Sequence, residues 1–83
     1  MYSIEFSKKA ESQFDKLPLD IQGRIIAVLE RMKIRPFHFV KKIVGSPYYR
    51  ARAGEYRVVL DIVNNQMLIY VIEMGHRKSI YKK

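Results

Sequence analysis

Eighty-three residues without a cysteine, 48% of them apolar and carrying a formal charge of +8, predict one small domain and exclude a disulfide framework or a thiolate metal site. No run of about 18 apolar residues exists, which excludes a helical membrane span, and no basic segment followed by a long apolar one is evident as a leader; a cytoplasmic protein is the expectation. Residues 1–40 hold seven Lys/Arg against five Asp/Glu, a net +2, and residues 41–83 hold nine against three, a net +6, so the second half presents a field that draws polyanions such as nucleic acid.

In chain order, residues 2–6 alternate apolar and polar and predict a half-buried strand. Ser7 can cap a helix whose face carries Ala10, Phe14 and Leu17. Leu17-Pro18 ends it, and Pro18 or Asp20 begins a second helix. Its stripe of Ile21, Ile25, Val28, Leu29 and Met32 runs through about residue 34, with Pro36 as the stop. So short a link predicts an antiparallel helical hairpin. Residues 37–47 read as a loop with a short strand, closed by the break Gly45-Ser46-Pro47. Strands follow at about 48–53, 55–63 and 67–74, turning at Gly54-Glu55 and Asn64-Asn65. The last is apolar on both faces, with Met67, Ile69 and Val71 on one and Leu68, Tyr70, Ile72 and Met74 on the other, as in a central strand.

These elements define an α+β class: an N-terminal strand, an α-helical hairpin, then a three-stranded antiparallel meander. Together they predict one mostly antiparallel sheet with the helices on one face, packed against Ile4, Phe6, Val58, Leu60, Leu68 and Ile72. On the first meander hairpin, alternation puts Tyr48, Arg50 and Arg52 on one face and Tyr49, Ala51 and Ala53 on the other. Arg57 points away from the apolar set of its own strand, and Arg77 joins it if the last strand continues past Gly75. Gathering like charges is unfavourable, so the pattern points to an anionic ligand, and the guanidinium fork matches phosphate. The competing reading is a solvated face paired with Glu55, Asp61 and Glu73. Lys41 and Lys42 either extend the basic surface or are simply solvated. Tyr48, Tyr49 and Tyr70 read as packing residues, and His38 is given no role. No carboxylate pair, Ser–His–acid set, glycine-rich phosphate loop or metal-ligand spacing is present, so neither metal nor cofactor is expected.

Tyr49-Arg50-Ala51-Arg52, then Gly54-Glu55-Tyr56-Arg57-Val58-Val59, then Val71-Ile72-Glu73-Met74-Gly75-His76-Arg77-Lys78 and Tyr81 resemble, in order and spacing, the RelE/ParE toxins of type II toxin–antitoxin modules. The resemblance spans nearly the whole chain. It implies a RelE-type endoribonuclease that cleaves mRNA in the ribosomal A site, without metal, by attack of a 2′-hydroxyl on the adjacent phosphodiester, and so inhibits translation. It implies catalytic roles for Arg52, Arg57, Arg77 and Tyr81 and RNA-binding roles for Arg50, Lys41, Lys42, His76 and Lys78. Preorganised guanidinium groups suit the charge that develops on a phosphorane-like transition state, and an aromatic ring can stack on a splayed base.

Some RelE proteins carry lysine at the first two basic positions, where this chain has Arg50 and Arg52. Arginine does not give up its proton, so the base falls to Tyr81, His76 or a ribosomal group. With two residues after Tyr81, the expectation is no room for the C-terminal helix that some relatives have. The implied partners are a cognate acidic, RelB-like antitoxin, the ribosome with its mRNA, and operator DNA only through the antitoxin complex; no membrane is implied. The ParE branch offers a different activity, non-catalytic inhibition of DNA gyrase. A third possibility is a non-toxic regulatory module that holds its antitoxin and binds DNA with it.

Overall fold

The computed structural model describes residues 1–80. In chain order the elements are β1 (Ser3–Phe6), α1 (Lys8–Asp15), α2 (Leu19–Met32), β2 (Lys41–Lys42), β3 (Tyr49–Ala53), β4 (Tyr56–Val63), β5 (Leu68–His76) and α3 (Arg77–Ile80). The five strands form one sheet in the order β1-β5-β4-β3-β2. The predicted meander β3-β4-β5 is antiparallel throughout. It is extended by β2, antiparallel to β3, and by β1, parallel to β5. The α+β architecture is as the sequence predicts.

Ser7 sets the first turn of the chain. Its side chain caps α1 by accepting from the Ala10 amide at 3.0 Å, satisfying one of the helix's orphan donors. The same hydroxyl donates to the Ile72 carbonyl at 2.6 Å, and the Ser7 amide donates to Val71 O at 2.8 Å. Beyond the end of β1, α1 therefore finishes the edge of β5. Gln13 continues this, its Oε1 accepting from the Met74 amide at 2.7 Å. At the other end of α1, the Gln22 amide reaches back from α2 to the Phe14 and Leu17 carbonyls, at 2.9 and 3.2 Å. These bonds fix the entry of α2, which Pro18 begins as N-cap.

The core lies between the helices and one face of the sheet. Ala10, Ile25, Leu29 and Met32 meet Ala51, Ala53, Val58, Leu60, Ile62, Ile69, Val71 and Met74. Phe6 and Phe14 close one end, edge to face with centroids 5.5 Å apart.

Two of the sheet positions differ from the sequence reading. Leu68 and Ile72 were expected on the helix face, but Ile69, Val71 and Met74 occupy it. The cause is a register shift: Val59 pairs with Glu73, whereas Leu60 pairs with Val71. Ile72 is thus one extra residue in β5, and such a bulge reverses the alternation on either side of it. Leu68 and Tyr70 are turned to the opposite face, across from Val63 and Asp61.

Three boundaries also differ. α2 ends at Met32, and Pro36 instead opens a short 3-10 turn, Pro36–His38, in which it is buried. The Asn64-Asn65 connection is a 3-10 turn, Asn64–Gln66, followed by Met67 with φ 50°. After β5 the chain turns into the four-residue α3, so a short C-terminal helical turn is present and Arg77 leaves the strand direction. Among the described residues no helix is long and apolar enough to cross a membrane.

Ser7→Ala removes both the cap and the bond to the bulge, and is expected to lower the free energy of unfolding by about 1–2 kcal/mol. Leu19→Ala, at a side chain 83% exposed, is expected to stay within about 0.5 kcal/mol of the parent. Urea melts of the two variants and the parent check both.

Candidate functional site

β3 and β4 position the cationic residues because one of their faces is committed to the core. Ala51 and Ala53 are buried beneath the helices, which turns Arg50 and Arg52 outward. Val58, Leu60 and Ile62 do the same for Arg57. The hairpin between them is tight, with Gly54 at φ 63° and Glu55 completing a two-residue turn. Glycine with positive φ at the first turn position is the pattern of a II′ hairpin, whose twist suits the flanking strands. Its register sets Arg50 across from Val59 and Arg52 directly across from Arg57.

β2 adds a fourth cation. Lys41 pairs with Arg50 and so faces the same side. Lys41, Arg50, Arg52 and Arg57 line one open hollow of about 220 Å³, together with Phe39 and Ala51. That is smaller than the roughly 300–1,000 Å³ of sites that engulf a drug-sized ligand. It suits a phosphate and adjoining atoms of a polymer better than an enclosed small molecule. Opposed like charges on neighbouring strands are destabilising, so the Arg52–Arg57 pairing is one that an anion between them would relieve.

The other sequence-predicted residues lie elsewhere. Lys42 pairs with Tyr49, and its ammonium sits 5.0 Å from the centroid of that ring, away from the hollow. His76 pairs with Tyr56, its ring 5.4 Å away, and its Nδ1 accepts from the Lys78 amide at 3.2 Å. Both belong to the helix-side alternation. Arg77 is at the hairpin end, its Nε donating to Glu55 Oε1 at 3.0 Å and its amide donating to Glu55 O at 2.9 Å. Arg52 Nε also reaches this turn, donating to Gly54 O at 3.3 Å. Lys78 belongs to α3, and Tyr81 lies outside the described residues. Of the carboxylates considered as partners of the arginine face, Glu73 pairs with Lys9 at 2.8 Å.

Phe39 was not singled out by its sequence. The available signal was its parity with Lys41, two residues on, but residues 37–47 carried no alternation long enough to expose it. Among the described residues, no cluster of three His, Asp or Glu side chains is placed to hold a metal.

A five-stranded sheet with two helices matches the fold of solved RelE toxins. Residues 4–81 match the family model described as the ParE toxin of type II toxin–antitoxin systems, parDE, and the chain belongs to that family. Solved structures share the fold. The RelBE2 toxin–antitoxin complex of Mycobacterium tuberculosis superposes with a TM-score of 0.81 at 22% identity, covering 92% of this chain and 98% of that one. The RelB–RelE antitoxin–toxin complex of Methanococcus jannaschii gives 0.72 at 29% identity, covering 93% and 94%. The YoeB/ParE toxin of Agrobacterium tumefaciens gives 0.78 at 15% identity, covering 92% and 98%. No curated protein sequence matches the chain.

Arg52→Glu replaces the opposed pair with a complementary one across from Arg57. It is expected to stabilise the free protein by roughly 0.2–1 kcal/mol in low salt. The gain should shrink in 1 M salt, where the screening length is about 3 Å. Urea melts at the two salt concentrations measure it.

Proposed function

We propose that this toxin is a ribosome-dependent endoribonuclease that cuts mRNA within codons as they are translated. The observation that carries the reading is the hollow lined by Lys41, Arg50, Arg52 and Arg57, with Arg52 set directly across from Arg57. In the reaction, the ribose 2′-oxygen bonds to the adjacent phosphorus as the bond from phosphorus to the 5′-oxygen breaks. The 2′ proton passes to a base and a proton is delivered to the leaving 5′-oxygen. The products are a cyclic phosphate and a free 5′-hydroxyl. Arg52 and Arg57 bind the non-bridging oxygens, where negative charge grows in the transition state, and Arg50 and Lys41 hold the flanking RNA backbone. Arg77 is assigned to phosphate by the family resemblance, and engaging substrate requires it to exchange Glu55 for the RNA. Tyr81 is the protein's candidate for proton transfer or stacking, His76 being turned to the helix side. The cytoplasm is the compartment this activity requires, because the ribosome supplies the substrate.

The partner in this reading is an acidic antitoxin that covers the cationic face and gains order on binding. Support comes from the similar structures that are toxin–antitoxin complexes with RelB. Operator DNA would be engaged through that complex.

A second reading has its own support: the matching family model is that of the ParE toxins, and the resemblance attributes gyrase inhibition to the ParE branch. An in vitro supercoiling assay separates the two, since inhibition without RNA cleavage selects the gyrase inhibitor.

Expression in growing cells, with mRNA ends mapped, is expected to show cuts confined to translated messages. Arg57→Ala is expected to slow cleavage by about 100-fold or more, as loss of a transition-state donor does, while keeping a cooperative melt. Intact messages under parent expression, or an Arg57→Ala variant as active as the parent, would contradict the assignment.

A further inference from the structure

Phe39 is the one aromatic side chain lining the cationic hollow among the described residues. Its neighbours in sequence are anchored: Pro36 is buried and Val40 packs against the core. Phe39 itself remains 38% exposed. Its amide donates to Pro36 O at 3.3 Å, and its ring meets His38 at 5.2 Å, so an outward aromatic group is held on a braced backbone.

Its place just before β2 sets it among the cations of the hollow. Lys41 pairs with Arg50 in the antiparallel β2–β3 register. Phe39 lies two residues before Lys41, as the C-cap of the Pro36–His38 turn, and lines the same hollow as Arg52 and Arg57. Arg52 pairs with Arg57, and Arg57 with Gly75. A Cβ placed on Gly75 would meet nothing within 4 Å. One row across β3, β4 and β5 therefore reads guanidinium, guanidinium, bare backbone, with neighbouring strands about 4.8 Å apart, and the ring of Phe39 lines the hollow beside it. The cations answer a phosphate, and the ring answers a flat apolar group joined to it.

We propose that Phe39 is a stacking shelf for the nucleobase next to the phosphate held by Arg52 and Arg57, so that the hollow takes single-stranded nucleic acid. The inference rests on the nuclease reading and deepens it. A base offers its face to such a shelf only when freed from its own stack. Held between ring and phosphate clamp, the intervening ribose loses the freedom that would let its 2′-oxygen swing out of line. Phe39 is a positioning residue in this scheme, since it touches a base and not the reacting atoms.

The test uses the full chain on ribosomes programmed with a defined A-site codon, read as single-turnover cleavage. Phe39→Trp should cut within about threefold of the parent, and Phe39→Leu and Phe39→Ala about tenfold more slowly, because only an aromatic face stacks. An abasic nucleotide placed in turn on each side of the scissile phosphate should slow the parent about tenfold at one of the two positions. The same abasic message should leave the rate of Phe39→Ala unchanged, since the shelf is already gone. Each variant is first shown to melt cooperatively, and Phe39→Leu preserves apolar bulk should Phe39→Ala fold poorly. Equal rates for Phe39→Leu and Phe39→Trp, or an abasic penalty as large in Phe39→Ala as in the parent, would overturn the shelf alone. A parent protein that cuts no message overturns the nuclease reading and the shelf together.

Discussion

The commitment of one face of β3 and β4 to the core governs everything else in this molecule. Alanines on β3 and branched aliphatics on β4 must lie under the helices, and by strict alternation the arginines between them must lie outside. A slip of one residue would bury guanidinium groups in an apolar layer, at a cost of several kcal/mol for each unpaired charge. Apolar burial thus selects the register, and the register delivers the cations to one place. The hydrophobic core and the cationic face are two consequences of the same periodicity.

The bulge at Ile72 shows how the remaining strand is fitted to this frame. On either side of it, β5 must offer apolar residues to the helices, yet its sequence is apolar on both faces. The inserted residue lets Ile69 and Val71 share a face with Met74, and Ser7 binds the Ile72 carbonyl. The N-cap of α1 and the edge of β5 are thereby closed by a single hydroxyl. Gln13 does similar service for the Met74 amide, so a helix takes over hydrogen bonding where β1 ends.

Much of this could be read from residue order, for identifiable reasons. The Arg50 and Arg52 alternation was readable because small apolar residues separate the arginines, and Gly54 marked the turn that opposes Arg57. The cap at Ser7 and the break at Pro18 were readable from local chemistry. The face of β5 was not, since an apolar residue at nearly every position hides parity, and a bulge has no signature in such a run. Phe39 escaped because β2 is two residues long, and its alignment with Arg50 arises only from pairing with a distant strand. Arg77 was placed by extending a strand that in fact bends into α3.

The parallel pairing of β1 with β5 joins Ser3–Phe6 to Leu68–Val71, near opposite ends of the sequence. Closing so long a loop is an entropic hurdle that local helices and hairpins do not face, and folds with distant pairings form slowly. During synthesis, β1 has no strand to join until β5 has emerged from the ribosome. Until then the sheet lacks its outer member, and Ser7 has no bulge to bind. Completion of the scaffold thereby waits on the pairing of β5 with β1, a step that comes after the helices and the hairpin have what they need to form.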